Sequence, residues 1–255
     1  MPSQEELVES IINALERLNA DDPASEKLAS YLYVADTRLP EYIKQLEEFT
    51  QLQNPTLLQS KKGGELLEQI AFLVFYGLRG ATSIKSFQSA GPQYDLLVSG
   101  DQPAWLTICK LLYLKENQRG IIVEAKATKA ALPDKQFARL CSIMELNTSS
   151  TVGLGVFFTL NGATGFPRND SARQRNLSDS RLRQVIFHAK TQKIIIVLDK
   201  NDIFGLGKNG TLLQTLIRKI RDLCELSGLP TPPIEQREEI DLPRHLKQLK
   251  DHPNS

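Results

Sequence analysis

Apolar residues recur at Leu7, Ile11, Ile12, Leu15 and Leu18, the three-and-four spacing of an amphipathic helix. Ser3, with Glu6 three residues on, predicts a cap at its start. A second helix is expected in DDPASEKLASYLYVA, with Pro23 in its first turn, and a third in PEYIKQLEEFTQLQ. The pattern then changes. Leu66, Leu67, Ile70, Ala71, Leu73, Val74 and Leu78 crowd into a strongly apolar helix, expected to begin after Gly63–Gly64 and to stop at Gly77 or Gly80. TSIKSFQ alternates as a strand does. QYDLLVSG reads as a second strand and IIVEAKA as a third, followed by a helix in KQFARLCSIMEL. GLGVFFTL and KIIIVLD read as two further strands, buried by composition. GTLLQTLIRKIRDLCELSG closes the pattern as an amphipathic helix with Gly228 as its stop. Between the second and third strands, DQPAWLTICKLLYLKENQRG reads as a helix opened by Pro103, with Trp105, Ile108 and Leu112 on one face; a long hairpin strand is the alternative.

This order predicts an α/β layer fold with helices over a central sheet. Residues 1–60 form an acidic helical segment, 61–229 the main domain, and 230–255 a polar tail that begins Pro-rich and holds at most one short helix, at 243–250. The acidic segment either supports the main domain by packing or binds a partner. Within 255 residues, 41% hydrophobic and 24% charged, no apolar run approaches the roughly 18 residues that would span a bilayer. The N-terminus lacks the charged-then-apolar order of a signal peptide, so a cytoplasmic protein without membrane contact is expected. Cys109, Cys141 and Cys224 are widely spaced and form no CxxC pair, which fits reduced core thiols. His188, His245 and His252 match no zinc or triad motif.

The formal net charge of +1 hides an asymmetry. Residues 1–50 carry eleven acids against four bases, and residues 164–195 carry seven bases against two acids. The first stretch repels polyanions. The second attracts them, or is a solvated face.

The candidate chemistry lies at the end of the third strand, in GIIVEAKATK. Strand side chains alternate faces, so Glu124 and Lys126 project from the same side, roughly 6–7 Å apart along the strand. Taken alone they read as an ion pair at a sheet edge. Asp95, on the preceding strand, and Glu68, on the apolar helix, could meet them in one cleft. Carboxylates beside a lysine are what phosphodiester hydrolysis uses. Acidic oxygens hold Mg²⁺, the metal acidifies a bound water and neutralises phosphate charge, and a lysine orients the water or stabilises the transition state.

These residues resemble the PD-(D/E)XK nuclease superfamily, most closely its Mrr-like restriction endonuclease branch. The resemblance covers about residues 61–225. Gly64-Glu65-Leu66-Leu67-Glu68 is similar to the family's first-helix motif, Asp95-Leu96-Leu97 to its acidic strand, Glu124-Ala125-Lys126 to its ExK strand, and Gln136 to the glutamine on the next helix. Asp95 and Glu124 stand 29 positions apart, farther than is usual in the family because of an insertion at 101–119, with Asp101 as a fallback acid. The resemblance implies a restriction-endonuclease-like mixed sheet flanked by helices and a Mg²⁺-dependent endonuclease acting on DNA, with Mn²⁺ as a substitute. Asp95, Glu124 and the Ala125 carbonyl would hold the metal, and Lys126 would position water. Glu68, preferred to Glu65, would complete the metal's surroundings, and Gln136 would steady the site or touch a phosphate. Lys129, Lys135, Arg168, Arg173, Arg175, Arg181 and Arg183 are the candidate nucleic-acid contacts. Cutting both strands implies a homodimer or larger assembly, in a restriction or defence setting, with residues 1–60 free to engage a protein partner. The alternative is a catalytically silent nucleic-acid-binding or scaffold subunit of a defence or repair complex.

Overall fold

The computed structural model describes Ser3, Glu6 and residues 23–87, 94–166 and 177–229. Ser3 and Glu6 exchange the expected capping bonds, Ser3 N–H donating to Glu6 Oε2 at 2.6 Å and Glu6 N–H to Ser3 Oγ at 3.2 Å. The rest of the first expected helix, the tail from residue 230, and Arg168, Arg173 and Arg175 lie outside the described residues.

Helices α1 (Pro23–Leu32), α2 (Leu39–Thr50) and α3 (Leu57–Tyr76) lead into strands β1 (Ala81–Phe87) and β2 (Tyr94–Gly100). Helix α4 (Pro103–Leu111) precedes β3 (Gly120–Lys126). Helix α5 (Asp134–Ser142) runs into a π-helical turn at Ile143–Asn147 before β4 (Val152–Thr159). Helix α6 (Asp179–Thr191), β5 (Ile194–Leu198), the short α7 (Lys200–Phe204) and α8 (Thr211–Ser227) complete the fold. The five strands lie in chain order in one mixed sheet. β1–β2 and β2–β3 are antiparallel, and β3–β4 and β4–β5 are parallel. The parallel links need crossovers, and α5 and α6 are those crossovers.

The sheet separates two apolar cores. Ile121, Val123 and Ala125 face the larger, with Leu67, Ile70 and Val74 of α3 and Leu212, Leu216 and Ile220 of α8. Ile122 faces the smaller, with Phe137 and Leu140 of α5 and Phe157 of β4. Strand alternation sorts the residues in this way, and burial of both faces explains why the strand is apolar without a break. Leu32, Tyr33, Leu39 and Leu46 of the acidic N-terminal segment belong to the larger core. Tyr33 Oη donates to the Leu206 carbonyl at 2.8 Å, tying that segment to the far end of the chain.

Two expectations need correction. Helix α3 starts at Leu57, not after Gly63–Gly64. Thr56 and Gln59 build a capping box there, and Gly63 is kept small because a Cβ would strike the Phe49 ring of α2. The glycine permits close helix packing and does not break the helix. Second, α6 lies between the last two strands, where the apolar pattern predicts no helix. The 101–119 insertion is a helix, as its pattern suggests. Trp105 of α4, fully buried, seats against Gly80 and Gly100, where a Cβ would collide with it. The insertion therefore leaves the β2–β3 pairing intact.

All three cysteines are buried and free, on α4, α5 and α8. Burial pushes the Cys109 and Cys141 thiols up to about 12 and raises that of Cys224. His188 is buried with Nδ1 3.2 Å from the Lys193 carbonyl and Nε2 3.5 Å from Cys224 Sγ. Burial lowers its pKa, which favours a neutral ring. No described helix is long and apolar enough to cross a membrane.

Candidate active site

In β3 the residues Gly120 to Ala125 are all buried, and Lys126 is the first to reach half-exposure. The β2–β3 register pairs Val98 with Ile121, Leu97 with Ile122 and Leu96 with Val123. One further step sets Asp95 opposite Glu124, on the same face. Antiparallel pairing thus delivers to one spot two carboxylates that stand 29 positions apart in the chain.

Lys126 Nζ lies 3.4 Å from Asp95 Oδ2 and 3.4 Å from Glu124 Oε2. The Ala125 N–H donates to Asp95 Oδ2 at 2.6 Å, a charge-assisted bond that fixes the carboxylate's orientation against the strand. Glu124 is only 1% exposed. Its Oε2 also accepts from Arg139 Nη1 of α5 at 3.3 Å, while its Oε1 is buried and meets no donor among the described residues. Burial raises the Glu124 pKa against the pull of Lys126 and Arg139. An acid in this position is costly to the fold and is held there by the strand on which it sits.

Glu68 approaches from the α3 layer. It is itself exposed. Partial desolvation and the negative charge of Asp95 raise its pKa, and Lys126 opposes them, so it belongs to the same electrostatic cluster. Glu65 instead pairs with Lys61 at 3.8 Å along the exposed side of α3. Gln136 lies on α5, one turn before Arg139, with its Oε1 buried and without a donor among the described residues. Sequence pattern does not single out Arg139. The one signal it offers is a place one helical turn beyond Gln136, on the same face of α5.

The expected nucleic-acid contacts are scattered. Lys129 is exposed, with Nζ 3.4 Å from the Gln53 carbonyl, and Lys135 is exposed at the start of α5. Arg183 is already engaged by Asp134, Nε and Nη2 each donating at 2.6 Å. Arg181 lines a cavity on a different part of the sheet's edge. Lys193, counted among the basic residues of 164–195, is 4% exposed. Its ammonium donates to the Met144, Ser149 and Val152 carbonyls at 2.6, 2.9 and 3.0 Å. It terminates the π-helical turn as a built-in cation and presents no charge to solvent.

No group of three or more His, Cys, Asp or Glu arranged to hold a metal ion occurs among the described residues. The donors that do converge are two carboxylates and the strand backbone between them. This set suits a hard cation that keeps most of its waters, as Mg²⁺ does with one or two carboxylates. The unpartnered Glu124 Oε1 is the kind of orphaned acceptor such a cation would satisfy. No protein-family model, no curated protein and no solved structure matches the chain.

Proposed function

We propose that the protein is a metal-dependent endonuclease of restriction-endonuclease-like fold that hydrolyses phosphodiester bonds in DNA. One observation carries the reading. Asp95 and Glu124 each lie 3.4 Å from Lys126 Nζ at the end of a buried strand, with Glu124 kept at 1% exposure despite its charge. A surface ion pair requires no such burial, whereas a site that must hold charges rigidly against an incoming phosphate does.

In this reading Asp95, Glu124 and the Ala125 carbonyl would hold Mg²⁺, or Mn²⁺ in its place, which when bound would supply an acidified water and neutralise charge on the scissile phosphate. Lys126 Nζ, placed between the two carboxylates, releases one of those contacts to donate to the attacking water or a phosphoryl oxygen. Arg139 holds Glu124 Oε2 and so keeps Oε1 presented. Glu68, at an exposed position of α3 beside Asp95, would exchange a hydrogen bond with the water. Asp95 stays oriented by the Ala125 N–H throughout. Cleaving a duplex takes two such sites, so the reading includes a dimer or larger assembly.

The test is plasmid cleavage with Mg²⁺ by wild type, Asp95→Ala and Lys126→Ala, each first checked for folding by circular dichroism. Loss of one charge-stabilising donor is expected to cost roughly 10²–10³-fold in rate. Equal activity in all three proteins would sink the assignment.

A further inference from the structure

Beyond the carboxyl ends of β4 and β5 lies a cavity of about 1160 Å³. None of Glu68, Asp95, Glu124 or Lys126 lines it. Its floor is apolar, with Leu160, Ile196 and Leu223, and the ring of Phe166 stands in its wall. Its charges do not balance. Five cationic side chains line it against three acidic ones. One acid is shared by two of those cations and another caps a helix, which leaves Lys129, Arg181 and Lys200 without a carboxylate ion pair among the described residues. Asp202 pairs with Arg218 at 3.3 Å and Lys219 at 2.8 Å. Asp199 caps α7, its Oδ1 accepting from the Asn201 and Asp202 N–H groups. The third acid, Asp222, lies near enough to Arg181 to counter only part of what burial does to that side chain. Arg181 Nη1 is buried and meets no acceptor among the described residues. A guanidinium held in this way costs free energy unless an anion arrives to share it.

Size and composition narrow the occupant. A lone phosphate would fill a small part of a cavity that is larger than the roughly 300–1,000 Å³ usual for small-molecule pockets. The apolar floor and aromatic wall suit a flat ring. The amides of Asn161 and Gln214 stand in the lining with the donors and acceptors that read a base edge.

We infer that this cavity is a binding site for a nucleoside phosphate, with Arg181 on the phosphate and the base against Phe166 and the apolar floor. The inference does not rest on the nuclease reading, because the cavity shares no residue with the carboxylate cluster. The two are nonetheless neighbours. Asn161 Nδ2 donates to the Thr128 carbonyl at 2.8 Å, joining the cavity's wall to the segment that follows Lys126.

The experiment is isothermal titration calorimetry on the full chain in metal-free buffer. The probes are the four ribonucleoside 5′-monophosphates and inorganic phosphate. None contains an internucleotide bond, so none is a nuclease substrate. At least one nucleotide is expected to bind more tightly than inorganic phosphate. Arg181→Gln should weaken it roughly tenfold or more through loss of the charged bond. Gln214→Glu, at an exposed helical position, should weaken it through repulsion without threatening the fold. Lys126→Ala should bind as wild type does, so a failure of the hydrolytic reading leaves this result standing. Absence of binding at millimolar nucleotide, phosphate binding as tightly as every nucleotide, or unchanged affinity in both Arg181→Gln and Gln214→Glu would overturn the inference. So would displacement of the nucleotide by duplex DNA, which would make the cavity part of the substrate path.

Discussion

Glu124→Gln is expected to make the protein more stable while removing the nuclease activity proposed above. The carboxylate is 1% exposed, with one oxygen unpartnered, and burial raises its pKa despite two cationic neighbours. An uncompensated buried polar atom costs about 1–3 kcal/mol, more when charged. The bonds from Lys126 and Arg139 return part of this, and a neutral amide keeps the shape without the charge. The net gain expected at neutral pH is about 1–2 kcal/mol, or roughly 2–8 °C in Tm for a chain of this size. The pH dependence has a definite sign. Below the ordinary glutamate range, folded and unfolded chains both carry the proton, and the charge contributes nothing. As pH rises out of that range the unfolded chain releases its proton first. Wild type therefore loses stability until the raised native value is passed. The amide variant has no such proton, so its advantage grows over that window and is flat above it. Urea unfolding of both proteins in chelator, across acidic to neutral pH at constant ionic strength, measures the difference directly. A variant less stable than wild type at neutral pH, or a difference that ignores pH, would refute the account of a strained carboxylate. In the proposed metal site, added Mg²⁺ should reverse the ranking, because only wild type gains binding energy.

Two further predictions concern the scaffold. Gly63→Ala should destabilise by about 1–3 kcal/mol through overpacking against Phe49, whereas Gly64→Ala, with open space at its Cβ, should stabilise by roughly 0.5–1 kcal/mol through helix propensity. Paired thermal melts check both. Lys193→Met should cost about 1–3 kcal/mol, because the Met144 and Val152 carbonyls lose a buried donor, while Ser149 keeps that of the Gln118 amide. A denaturant midpoint unchanged from wild type would contradict that role.

Much of the site was legible because strand periodicity is strict. Alternation alone put Glu124 and Lys126 on one face, with Ile122 beneath them and Ile121 and Val123 opposite. What alternation could not supply was register. Only pairing through Leu96 and Val123 brings Asp95 to its partners, and α4 had to be placed outside the sheet for that pairing to form. Helix α6 was hidden for a different reason. Several of its buried positions are polar, namely Ser180, Gln184 and His188, so no apolar stripe marks it. Their burial is satisfied by bonds made far along the chain, such as Gln184 Nε2 to the Ile195 carbonyl. The same blindness made Lys193 and Arg183 look like free surface charge. A count of basic residues sees charge, but the carbonyls and the carboxylate that absorb it come from elsewhere in the sequence. Gly63–Gly64 misled because a glycine pair looks alike whether it ends a helix or lets another helix approach.

The three buried thiols have a practical consequence. Cys109, Cys141 and Cys224 sit on helices on both sides of the sheet and belong to both cores. Because the thiolate is the reactive form and burial suppresses it, each sulfur reacts with an alkylating reagent only after its own helix has come away. The native chain therefore carries three internal clocks, and the order in which they run down would report which layer of the molecule opens first.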